Sequence, residues 1–169
     1  MSLGNEPGAG SGGTGAPPEE HESNKLPHGV TREYASQEIR VQWYASRCIH
    51  SAKCIRALPR VFDPRRRPWV DIDAANADAI ADAVLKCPTG ALHYERTDGG
   101  PAEPVSSEVT VVAVKDGPYF LTGPVKVRNA DGEIIREDSR VALCRCGNSK
   151  HLPFCDNTHR AIGFKSDVP

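Results

Sequence analysis

The sequence has little of what builds a large hydrophobic core. Aromatic residues make up 6% of its 169 residues and apolar residues 38%. Chains this thin in core formers usually fold as small units held by a staple, either disulfide or metal. No run of about 18 apolar residues is present, so no segment reads as a membrane-spanning helix. The formal net charge is −1, which gives no global pull toward nucleic acid. There is no P-loop, no G-x-G-x-x-G and no Ser-His-Asp order, so nucleotide and hydrolase chemistry are not indicated. No apolar signal core follows the N-terminal residues, and the expected setting is a reducing cytoplasm.

The chain does hold six cysteines. Paired as disulfides they would need an oxidising compartment, so in the expected setting their clustering points to metal instead. Residues 1–30 are rich in Gly, Pro, Ser and Glu and read as a disordered tail. Residues 31–96 form a first unit. "IRVQWYA" alternates as a strand, and Ala77, Ile80, Ala81, Val84 and Leu85 recur at helical spacing, with Asp73 as the expected N-cap. "GALHYE" closes this unit as a short strand. Residues 97–107, "TDGGPAEPVSS", read as a linker. Residues 108–169 form a second unit, in which "VTVVAV", "YFLTGPVKVRN" and "RVALC" read as strands and "NADG" as a hairpin turn. The expected fold class is α+β, in two small domains.

The second unit ends in "CRCGNSKHLPFCDNTHR". Cys144, Cys146, Cys155 and His159 supply four soft or borderline donors, the number that one tetrahedral zinc or one [2Fe–2S] cluster requires. Zinc fingers usually open on C-x2-4-C, whereas C-x-C suits two thiolates on one iron of a two-iron rhomb. The spacing favours iron–sulfur and leaves zinc open, including the reading of a zinc-stabilised interaction protein. Asp156 is placed to accept an N–H two or three residues on, which sets His159 in the first turn of a short helix.

"RVALCRCGNSKHLPFCDNTHRAIGF" resembles the CDGSH iron–sulfur domain, whose pattern is C-x-C-x2-S/T-x3-P-x-C-D-G-S/A/T-H. Cys144, Cys146, Ser149, Pro153, Cys155, Asp156, Thr158 and His159 match it. Asn157 replaces the glycine, a mild departure because Asn tolerates left-handed backbone angles. The upstream "DGPYFLTGPVKVRNADG" is similar to the β-region before that motif. The resemblance implies a β-rich domain with a [2Fe–2S] cluster on Cys144, Cys146, Cys155 and His159. A neutral imidazole in place of a thiolate raises the potential. An imidazole open to solvent would also couple redox to protonation and loosen the cluster in acid. Arg145, Ser149, Lys150 and Asp156 are candidate cofactor-binding residues around it.

The first unit carries "CIHSAKC" and, further on, "CPTGAL". Cys48 and Cys54 keep the first and third positions of the C-x2-C-x2-C run of low-potential ferredoxins, with Ser51 in the middle position and Cys87-Pro88 as the remote thiolate. "CIHSAKCIRALPRVFD" and "PWV…CPTGALHY" resemble the divergent single-cluster ferredoxin domain, a small ferredoxin-like α/β unit that often accompanies CDGSH domains. Three thiolates suit a [3Fe–4S] cluster, which is favoured, or a [4Fe–4S] cluster whose fourth iron takes Ser51 or His50. The bland alternative is that these cysteines are small buried hydrophobes.

The arginines of "RRR" (Arg65, Arg66, Arg67), with Lys53, Arg56 and Arg60, form either a solvated loop or a docking face for an acidic redox partner. Trp43 and Trp69 read as core aromatics, and His93 and His151 lack ligand-like spacing. The expected function is intracellular electron transfer by a two-cluster iron–sulfur protein, a carrier rather than a catalyst. The alternative is a redox sensor or cluster donor. Its partner would be a redox protein or an apo-acceptor, with no nucleic acid and no membrane, and the chain would be a monomer or homodimer.

Overall fold

A computed structural model describes residues 29–167. The tail expected over 1–30 lies almost wholly outside the described residues. The rest is a small mixed α/β structure with two three-stranded antiparallel sheets.

The first sheet has the order β1 (Arg32–Ala35), β2 (Ile39–Trp43), β3 (Leu92–Arg96). Alternation decides its faces: Ile39 and Val41 of β2 and Leu92 and Tyr94 of β3 are buried, while their neighbours point the other way. The buried side meets α2 (Ala77–Leu85), whose Ile80, Ala81 and Val84 line one stripe. Val61, Phe62 and Val70 complete this core, and Trp43 and Trp69 pack edge to face against it, 5.3 Å apart. The cap of α2 is Asn76 and not Asp73: the Asn76 side chain accepts from the Ala79 N–H at 2.9 Å. The helix starts three residues later than the sequence pattern indicated because Asn76 is the oxygen-bearing side chain within reach of that orphan donor. It stops before Pro88, which has no N–H to continue it.

Two elements carry no clear sequence signal. Strand β1 is four residues long, and α1 (Lys53–Ala57) is a single turn inside the first cysteine loop.

The second sheet has the order β4 (Thr110–Ala113), β5 (Tyr119–Arg128), β6 (Ile134–Leu143). The β5–β6 turn falls at "NADG", where the Asn129 side chain accepts the N–H groups of Asp131 and Glu133. The β5–β6 register shifts between Thr122 and Val125, across Gly123 and Pro124, as expected where proline cannot donate to the ladder. Among the described residues, Ile49, Ala142 and Cys155 form a small buried apolar cluster on this side, with Phe120 against it, and Val125 and Val141 are buried in the same sheet. Ile49 comes from the first unit, so the second sheet borrows part of its core.

The two units meet through charge. Asp138 on β6, with its side chain 1% exposed, accepts from Arg47 at 2.9 Å, from Arg136 at 2.8 Å and faces His93 Nε2 at 3.1 Å. His93 Nδ1 faces Glu103 at 3.0 Å. Arg140 pairs with Glu103 and donates to the carbonyls of Val84 at 2.7 Å, Leu92 at 2.8 Å and Cys87 at 3.2 Å. Gly90 makes the close approach possible: its φ is +62°, and a Cβ there would fall 2.5 Å from the Asp138 carboxylate oxygens.

Burial opposes charge on His93, but Asp138 and Glu103 outweigh it and push its pKa up to about 9. A folded pKa above the unfolded value near 6.5 means that this stabilisation is complete below about pH 6.5 and is lost as pH rises through about 9. Urea unfolding between pH 6.5 and 9.5 is expected to show a loss on the order of 2–3 kcal/mol. His93→Gln is expected to flatten that slope, and an equal slope in the variant would remove His93 from the pH response.

Candidate iron–sulfur centres

The second centre is built at the end of β6. Pairing continues past the strand: Leu143 bridges Phe154, the Cys144 N–H donates to the Pro153 carbonyl at 2.8 Å, and the Cys155 N–H donates to the Ala142 carbonyl at 2.9 Å. The intervening loop is therefore closed on the sheet. Its polar residues shape it. The Ser149 hydroxyl donates to the Phe154 carbonyl at 2.7 Å and accepts from the His151 N–H at 3.1 Å. Asp156 accepts from the N–H groups of Lys150 and Thr158, both at 2.9 Å. Asn157 sits at φ 77°, so it takes the left-handed geometry that the pattern's glycine would supply, and α3 (Thr158–Ala161) follows. Arg145 donates to the Val114 carbonyl at 3.1 Å and lies over the Tyr119 ring.

The four donors stand as two pairs. Cys144 and Cys146 sulfurs are 3.7 Å apart, and Cys155 Sγ and His159 Nδ1 are 3.5 Å apart. A tetrahedral metal with bonds of about 2.3 Å to sulfur and about 2.0 Å to imidazole nitrogen sets these spans at about 3.8 and 3.5 Å. Each pair thus fits one metal. Among the described residues, no three His, Cys, Asp or Glu side chains are grouped to hold a single ion. His159 is 7% exposed, so the open imidazole considered from sequence is not met. Burial, then Arg160, lowers its pKa, which keeps the ring neutral and able to ligate.

The thiols differ in ways that follow from their surroundings. Burial alone would raise Cys144, but N–H groups of Ser149, Gly147 and Cys146, together with the Cys146 thiol, hold it below its ordinary value. Cys155 is raised by burial, and the Asn157 N–H at 3.4 Å only partly offsets this.

The first centre draws on three places. Cys48 follows a short 3-10 turn (Ala45–Arg47), Cys54 lies in α1, and Cys87 follows α2. All three pack against the first core. Burial, then the neighbouring Cys87 thiolate, pushes Cys54 up to about 11, and burial also raises Cys48. Cys87 Sγ lies 3.7 Å from Thr89 Oγ1, a neighbour that the sequence reading missed. His50 and Ala52 both have positive φ, 52° and 58°, on either side of Ser51. Non-glycine residues hold that geometry at about 1–2 kcal/mol each, so the loop between Cys48 and Cys54 has an imposed shape. His50 is exposed and Ser51 half-buried.

All six cysteines are free thiols. The two sets are close in the fold: Ile49, next to Cys48, shares a buried cluster with Ala142 and Cys155, and Arg140 of β6 donates to the Cys87 carbonyl.

Cysteine-bearing loops stand in both units, and the family matches of both make the chain an iron–sulfur protein. Residues 34–97 match the family model described as "Divergent 4Fe-4S mono-cluster", and residues 116–160 match "Iron-binding zinc finger CDGSH type". "Uncharacterized protein YjdI" of Escherichia coli, from strains K12 and O157:H7, is 32% identical over 66 residues. That match covers 39% of this chain and 87% of the relative. The chain belongs to the divergent 4Fe-4S mono-cluster family, with a CDGSH-type iron-binding domain after that region. No helix among the described residues is long and apolar enough to cross a membrane.

Proposed function

We propose that the protein is a two-centre electron carrier of the reducing cytoplasm. In this reading Cys144, Cys146, Cys155 and His159 hold a [2Fe–2S] centre. Cys48, Cys54 and Cys87 hold a second centre in a ferredoxin-like first domain. The donor pairs support two irons over one zinc in the CDGSH-type unit, because each pair spans one metal and no larger group forms among the described residues. The family description favours [4Fe–4S] over [3Fe–4S] in the first unit, with Ser51 or His50 near the open position.

An iron–sulfur centre, when bound, accepts and returns single electrons. The chain's own residues do the rest. N–H groups favour the thiolate form of Cys144, and Arg140 holds the Cys87 loop against β6. The observation that carries the reading is the packing of Ile49, next to Cys48, against Ala142 and Cys155, which brings the two candidate ligand sets together.

Anaerobic preparation with iron, sulfide and zinc counted per chain is the test. About five or six irons, from two in one centre and three or four in the other, are expected. An EPR-monitored titration should then show both centres cycling without iron loss. Zinc and no sulfide would end the reading. Transfer of iron and sulfide to an apo-acceptor, without stable cycling, would favour the cluster-donor alternative.

Ser51→Cys is expected to give four irons in the first centre and an air-stable [4Fe–4S] EPR signature. Three irons in that variant would show that Ser51 does not face the open position.

A further inference from the structure

The charged surface beside the first centre is arranged differently from what the arginine run suggested. Arg65 pairs with Asp63 at 3.0 Å, and Arg66 with Asp71 at 3.0 Å. Arg67 donates to the carbonyls of Pro64 and Arg66. These arginines are spent on their own loop.

Three other cations face no carboxylate, although Arg56 donates to the Ser51 carbonyl at 2.8 Å and Lys53 lies over the Phe120 ring. Lys53, Arg56 and Lys86 are exposed and make no ion pair among the described residues. All three line one cleft of about 640 Å³, and Cys87 lines it too. Its remaining wall includes Val112 and Phe120 of the second sheet and Arg140. No carboxylate lines this cleft. Three other clefts each carry at least one: Glu137 in one, Glu103 and Asp138 in another, Asp71 and Asp73 in a third. A chain of net charge −1 therefore concentrates uncompensated positive charge where a first-centre ligand comes to a cleft.

We infer that this cleft is the docking face for an acidic electron-carrier protein, one that presents Asp and Glu side chains around its own redox group. The inference rests on the electron-carrier reading and adds the port and the charge of the partner. Cations on the rim steer the encounter, and the apolar Val112–Phe120 wall gives the partner a dry contact. In the exchange one electron leaves the reduced first centre and reduces the partner's oxidised group by one; no atom or proton moves.

Two haem proteins of opposite charge serve as probes: acidic cytochrome b5 and basic cytochrome c. Dithionite-reduced protein, freed of excess reductant, passes one electron to each ferric haem, followed by stopped flow at low salt. Lys53→Glu with Lys86→Glu is expected to slow transfer to cytochrome b5 about tenfold or more and to flatten its salt dependence. Transfer to cytochrome c should not slow. Lys115→Glu with Lys126→Glu, which changes net charge equally on another surface, should leave both rates near wild type. Lys53→Ala with Lys86→Ala should give an intermediate loss if the Glu pair misfolds.

Carbodiimide cross-linking to cytochrome b5, mapped by mass spectrometry, reads the docking without any electron transfer, and Lys53 and Lys86 are the expected sites. Equal slowing by both charge-reversal pairs, or cross-links elsewhere, would overturn the inference. Iron counts and EPR on the same samples separate this from failure of the carrier reading, which would appear as missing or redox-silent centres in the wild type.

Discussion

Arg140→Met is expected to destabilise the protein by about 3–5 kcal/mol, the usual result of removing one partner of a buried ion pair. Arg140 is 6% exposed. Its loss takes the guanidinium from Glu103, which keeps only His93 and the Tyr94 N–H, and leaves the carbonyls of Val84, Leu92 and Cys87 without that donor. Buried acceptors without partners add to the loss. Because the same guanidinium links the Cys87 loop to β6, the first centre should also lose iron faster under chelator. Denaturant unfolding of the holoprotein and iron release to a chelator measure the two effects. Arg140→Lys restores the charge but not the planar fork, and should recover only part of both. A variant within about 1 kcal/mol of wild type, below the buried-pair range, would show that the network does not hold the units together.

His159→Cys is expected to lower the potential of the second centre by on the order of 100–300 mV, since anionic thiolate replaces neutral imidazole. The Cys155–His159 separation of 3.5 Å is short enough for one metal to take both. The substitution should also slow loss of the visible absorbance between pH 5 and 7, because imidazole protonation competes with ligation. Potentiometric titration and timed absorbance after a pH jump measure these effects. An unchanged potential with an unchanged pH profile would remove His159 from the ligand set.

The candidate ligands were legible because their signal is local. Cys144, Cys146, Cys155 and His159 lie within one short stretch, where spacing alone restricts which donors share a metal. Strands β4 and β5 and the turn at "NADG", which Asn129 and its near neighbours set, were legible for a similar reason, whereas β6 begins at Ile134, six residues before the stretch that read as strand. The interface was not legible. Arg47 and Asp138 are 91 positions apart, and Arg140 and Glu103 are 37 apart. Glu103 sits in a stretch whose composition reads as linker. His93 was set aside because no ligand-like partner lies near it in sequence; its partners are supplied by other elements.

Strand β6 shows why pattern reading fails there. Arg136, Asp138 and Arg140 alternate on one side and would ordinarily mark a solvent face. Here they turn toward the first unit, while Ile134 and Ile135 stay exposed. An inward charge is stable only when another element brings the matching charge, and sequence periodicity holds no record of that partner.

The sequence by itself determined the chemistry: which donors exist, how closely they are spaced, and that two cysteine-bearing units follow one another. Tertiary structure decided the relation between those units. Folding brings Ile49 against Cys155's cluster, ties Arg140 to the Cys87 carbonyl, and leaves Lys53, Arg56 and Lys86 uncompensated around one cleft. The division has a physical origin. The cysteines of the second unit and two of the first are close along the chain and so carry a local signal, whereas Cys87, packing and charge pairing between units depend on where distant segments come to rest.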